Sequence, residues 1–152
     1  MDPPRRHTIK ELMAILDTSP PDTLVAQLAA QLVPVVLAEL DCIDARLTKR
    51  QAARTFLKAE QAFLQDMHRG MEANRAKVVI KLNRLQGEQF RRLPSTMTSG
   101  FEASARAKRD AIASIDAALE TNREAVEAVI RALEKNEAAI NDDLAELAAL
   151  QG

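Results

Sequence analysis

The chain has 152 residues, 47% hydrophobic and 28% charged, with a formal net charge of −1, which is one soluble domain's worth of protein. Its 27 Ala and 18 Leu stand against 4 Gly, 6 Pro and no Trp or Tyr, a balance that favours helix and leaves strands without the residues they prefer. The expected fold class is all-α. A lone Cys42 excludes an internal disulfide and points to a reducing cytoplasm, where a buried small hydrophobe is the expected role of the thiol. Charges are interleaved through residues 1–21, so no signal peptide is expected there. The longest uncharged run, 23–38, carries Gln27, Gln31 and Pro34, so no membrane span is read.

Capping chemistry places three helix starts, at Thr8-Ile9-Lys10-Glu11, Ser19-Pro20-Pro21-Asp22 and Ser99-Gly100-Phe101-Glu102, where a hydroxyl precedes a carboxylate by three residues. These predict helices over about 9–17, 20–93 and 100–150. The first carries Ile9, Leu12, Met13 and Leu16 on one face and must dock on something. In the second, Pro34 is expected to kink the helix, because it loses a backbone bond and crowds the preceding turn. Gly70 and Gly87 weaken it without stopping it.

Turn residues cluster at 94–100, which predicts the turn of a helical hairpin. In the third helix Ala105, Ile112, Leu119, Val126, Leu133, Ile140 and Leu147 recur every seven residues, with Ile115, Asn122, Val129 and Asn136 three residues after members of that series. The second helix answers with Leu64, Met67, Met71, Val78, Leu82 and Leu85. The expected architecture is an elongated antiparallel coiled-coil hairpin over 44–152, with Phe90 and Phe101 meeting near its tip, and an N-terminal helical head over 1–43.

Charge is segregated along the chain. Residues 22–45 carry −4, residues 46–92 carry +8 and residues 93–152 carry −5. The basic segment is the feature that suggests nucleic acid, with Arg46, Lys49, Arg50, Arg54, Arg84, Arg91 and Arg92 as candidate phosphate contacts. The cheaper reading pairs it with Glu120, Glu124, Glu127, Glu134 and Glu137 across the hairpin, and no aromatic platform for single strands accompanies it. Asn122 and Asn136 are read as register-setting polar residues, with facing positions near Glu72 and Lys58. His68 reads as a solvent-facing helical residue, and neither a catalytic constellation nor a metal or cofactor motif is legible.

Apolar residues wrap more than one face of the second helix over 24–40, in a region that the end of the third helix is not expected to reach. Leu24, Leu28, Leu32, Val33, Val36 and Leu40 are therefore the expected interface, either of a homodimer or for a helical protein partner. The reading is a non-catalytic scaffold or adaptor acting through protein–protein contacts. The alternatives are a non-specific nucleic-acid accessory protein using 46–92, and an amphipathic surface coat. In outline, though in no motif, a hairpin of this size resembles the stalk and chaperone proteins of bacterial secretion systems. The Arg-rich, Lys-poor composition suits a high-GC bacterial genome.

Overall fold

The computed structural model describes residues 7–89 and 95–152, and among these it contains three α-helices and no strand. Helix α1 spans Ile9–Thr18, α2 spans Leu24–Gln89 and α3 spans Ser95–Gln151. The fold is all-α.

Helix α1 starts as its sequence dictates, with Thr8 Oγ1 accepting from the Glu11 N–H at 3.1 Å. The expected cap at Ser19 is not used. A residue before proline is pushed out of the helical region, so Pro20, standing before Pro21, cannot open a helix. Residues 21–22 make a turn in which the Thr23 N–H donates to the Pro20 carbonyl at 3.1 Å, and Thr23 caps α2 by accepting from the Ala26 N–H at 3.3 Å. At the other break, α3 begins at Ser95, ahead of the expected Ser99 cap. Apart from Met97, residues 95–100 are weak helix formers, but they include no proline, so the helix propagates back through them. The turn expected at 94–100 is overturned to that extent; the link between the helices falls in 90–94, outside the described residues, as do Phe90, Arg91 and Arg92.

Helix α2 is contiguous over 66 residues, through Pro34, Gly70 and Gly87. Pro34 cannot donate to the carbonyl of Ala30, but both residues are exposed, so water can satisfy that oxygen.

The chain divides into two compact units, one formed by Met1–Phe56 with Leu133–Gly152 and the other by Leu57–Ala132. In the first, a core of Leu12, Ala29, Val36, Leu40, Ile43, Leu47, Ile140 and Leu150 joins all three helices. The C-terminal turns of α3 thus reach residues 29–40 of α2, contrary to the expectation that they stop short. Ile9, Ile15 and Leu16 of α1 pack on this core, whereas Met13, expected on the same face, is exposed. Gly152 closes α3 in the left-handed region (φ 87°), and a Cβ there would stand 3.0 Å from Thr8 Oγ1, so the end of α3 abuts the cap of α1. Three bonds fix the direction of pairing: Arg46 to Glu146, Arg50 to Asp143 and Arg54 to Glu137, with numbers rising on α2 as they fall on α3.

In the second unit the less exposed residues of α3 include Ala105, Lys108, Ile112, Ile115, Leu119, Asn122, Val126 and Val129, in alternating steps of three and four, although Phe101, Ser104, Ala111, Ala125 and Ile130 are also half-buried. On α2 the matching series is Leu57, Gln61, Leu64, His68, Met71, Arg75, Val78, Leu82 and Leu85. Met67, expected in this series, is 43% exposed, and the inward position belongs to its neighbour His68. The spacing decides this, since four residues after Leu64 fall on 68.

Leu12 is 1% exposed and touches the packing of all three helices. Leu12→Ala is expected to cost about 2–5 kcal/mol, read in urea unfolding followed by circular dichroism. A loss below about 0.5 kcal/mol, the size of a surface substitution, would contradict the docking of α1.

Candidate interaction surface

The inward stripe of the first unit is not uniformly apolar. Beyond Leu47 the stripe continues into Arg50 and Arg54, and α3 presents Asn136 and Asp143 to them. Asp143 is the next member of the series Ile115, Asn122, Val129, Asn136, and sequence reading stopped one step short of it. Its side chain is 5% exposed; Arg50 Nη1 donates to its Oδ2 at 2.6 Å, and Arg46 lies 3.4 Å from its Oδ1. Arg50 Nη1 also donates to the Ala139 carbonyl at 2.8 Å, while Asn136 Nδ2 donates back to the Arg50 carbonyl at 2.8 Å. A buried carboxylate is tolerable only when paired and hydrogen-bonded, and this cluster supplies both.

These contacts correct two expectations. Asn136 meets the Arg50 backbone instead of Lys58. Of the five glutamates expected to neutralise α2, only Glu137 makes a described bond to it, at 3.1 Å from Arg54, while Glu120 pairs with Arg123 on its own helix at 2.6 Å. Among the candidate phosphate contacts, Arg46, Arg50 and Arg54 are bonded to α3, and Lys49 and Arg84 are exposed.

In the second unit, Arg75 Nε donates to Asp116 Oδ1 at 2.6 Å, and that hydrogen bond, with the carboxylate's charge, raises the guanidinium above its ordinary value. His68 is partly exposed, with Nε2 2.9 Å from Glu72 Oε1. Asn122, expected near Glu72, is buried with its Oδ1 lacking a hydrogen-bond partner among the described residues.

The outward faces of α2 carry the surface that could hold a partner. Of the six residues expected there, Leu24, Leu28 and Leu32 are exposed, at 69%, 50% and 39%, Val33 is packed against the core, and Val36 and Leu40 are buried within it. Cover from α1 and from Leu147 and Leu150 explains the difference. Val25, Val35 and Leu37 join the exposed set, and Phe56 lies further along the same unit at 67%. Cys42, expected to be buried, is exposed, because the inward position goes to Ile43. Val35, Glu39, Cys42 and Arg46 line an open groove of about 550 Å³. The apolar character is strong enough that α2 contains an 18-residue window of mean hydropathy 1.5, only 17% buried, which passes for a membrane span by length and composition alone. Among the described residues no group of three His, Cys, Asp or Glu side chains could hold a metal ion.

No family model, curated protein or solved structure matches the chain.

Two substitutions test the polar positions. Asp143→Ala leaves the guanidinium of Arg50 facing a buried hole and is expected to cost about 1–3 kcal/mol in urea unfolding. Asn122→Leu removes a buried polar atom that has no partner among the described residues and is expected to stabilise by up to about 1 kcal/mol. A destabilising Asn122→Leu would mean that its amide makes a necessary bond.

Proposed function

We propose that the chain is a non-catalytic adaptor in which α2 and α3 form an antiparallel coiled-coil hairpin, and that it acts through protein–protein contact as a homodimer in the cytoplasm. The observation that carries this reading is the row Leu24, Val25, Leu28, Leu32 and Val35, each at least 39% exposed on a run of helix without charge. Contiguous apolar surface of this kind, poor in charge and adjoining a densely charged segment, has the composition of an interface centre. The internal pairing of Arg46, Arg50 and Arg54 further supports it, since part of the basic segment's charge is already met by α3.

A second reading has one observation in its favour. Lys77, Lys81 and Arg84 stand four and three residues apart on α2, exposed and without an ion-pair partner among the described residues. They suit a polyanion, and retention on heparin that falls steeply with salt would favour that reading.

Wild-type protein at tens of micromolar is expected to sediment as a dimer. Replacing Leu28 and Leu32 with Asp is expected to give a monomer whose circular dichroism remains helical, since both side chains are exposed within the chain. Val36 is left unchanged because it belongs to the core. A wild-type monomer at these concentrations would defeat the homodimer.

A further inference from the structure

The charge along one helix and the charge at one height of a helix pair are different quantities. In the second unit Gln65, His68 and Arg69 share a groove with Arg123 and Val126, and Arg75 donates to Asp116, so numbers fall on α3 as they rise on α2. Stepping on from the Arg75 to Asp116 bond brings residues 77–85 of α2 opposite residues 106–114 of α3. Those two stretches hold six bases, Lys77, Lys81, Arg84, Arg106, Lys108 and Arg109, and one acid, Asp110. Three of the six bases of α3 fall here, although that helix as a whole is acidic, so the two helices add their charge at this height instead of cancelling it. Every one of these bases but Lys108 is exposed, and none has an ion-pair partner among the described residues.

The bases do not share one face. Lys77, Lys81 and Arg84 each stand one residue before a half-buried member of the inward series, namely Val78, Leu82 and Leu85. On α3, Arg106 and Arg109 each follow an inward residue, Ala105 and Lys108. In an antiparallel pair, positions before the seam on one helix and after it on the other lie on opposite sides of the plane through the two axes. The exposed bases of α2 and α3 therefore flank the pair on both sides, with Lys108 in the seam between them. A flat bilayer or a rigid duplex offers phosphates to one side, whereas a flexible strand can follow both. No aromatic residue falls in either stretch, and Ile80, at 52%, is the only large apolar residue exposed there, so the band provides neither for base stacking nor for insertion into lipid.

Resting on the polyanion reading of Lys77, Lys81 and Arg84 and deepening it, we infer that this band holds the phosphate backbone of single-stranded nucleic acid, with Arg106, Lys108 and Arg109 as the contacts that α3 supplies. The bases of the strand stay unread, so binding is independent of sequence. The band is separate from the row Leu24 to Val35, which belongs to the other unit, so each copy in a homodimer carries its own.

The test is fluorescence anisotropy of a labelled oligodeoxythymidylate of about 15 nucleotides, titrated with the full chain at several salt concentrations. Each phosphate neutralised on a single strand contributes about 0.7 to the slope of log affinity against log salt, so about five contacts give a slope of roughly −3.5. Replacing Lys77, Lys81 and Arg84 with Gln is expected to flatten the slope by about 2, and Arg106→Gln with Arg109→Gln by about 1.4. Each set is expected to raise the dissociation constant about tenfold or more at about 50 mM salt. Lys49→Gln with Lys135→Gln removes two charges from the other unit and is expected to change neither quantity; circular dichroism checks that every variant stays helical. An equal loss in that control would reduce the effect to net charge and overturn the band. A loss confined to the α2 variant, or tighter binding of a duplex or of phosphatidylglycerol vesicles than of the single strand, would overturn this inference while leaving the polyanion reading standing. No binding of oligonucleotide, duplex or heparin at about 50 mM salt would overturn both.

Discussion

A single helix offers a partner only one stripe at a time, and α2 is long, apolar on more than one side, and faced by one long partner. Wherever α3 and α1 lie against it, side chains at steps of three and four are withdrawn from water; Ile43 is 2% exposed and Leu47 is 6%. One residue away on the helix surface, Cys42 is exposed, and further round Val35 is 54% exposed. The same constraint sets the fate of every candidate residue on α2, because what matters is its angle about the axis more than its chemistry. Val36 and Leu40 became core and Leu28 remained surface for that reason alone.

Polar residues in the inward stripe follow the same geometry and then solve the problem it creates. Arg50 and Arg54 occupy stripe positions that apolar residues would fill more simply, and desolvating a guanidinium is costly unless acceptors are waiting. Asp143, Glu137 and the Ala139 carbonyl form that set, while the amide of Asn136 donates to the Arg50 backbone carbonyl. The directionality of these bonds fixes which turn of α2 meets which turn of α3, a specification that interchangeable Leu and Ala contacts do not provide. Asn122 is the exception, a stripe residue whose carbonyl oxygen is buried without a donor among the described residues.

The charge segregation legible along the chain acquires a more local meaning. It reads as a basic helix neutralised by an acidic one, yet the described bonds across the helices are few and concentrated at residues 46–54 and at Arg75. Glu120 and Arg123 satisfy each other three residues apart on α3. Exposed pairs contribute little individually, so their role lies in excluding wrong registers more than in stability.

The sequence by itself determined the all-α class, the three helices, the Thr8 cap and the seven-residue period of α3, because each follows from local propensity or from spacing along one chain. It also identified the excess of apolar surface on the first half of α2. Which of those apolar residues face inward was decided only by tertiary structure, through the reach of Leu147 and Leu150 and the docking of Leu12. The helix boundaries beside Pro20 and Ser95 moved by a few residues, since cap chemistry competes with proline sterics and with helix propagation. Asp143 was within reach of the period already written down, and its acidic side chain concealed it; only a partner on another helix makes a buried carboxylate sensible. The exposure of Cys42 arises from the same cause, since burial is a property of the pair of helices and not of either one.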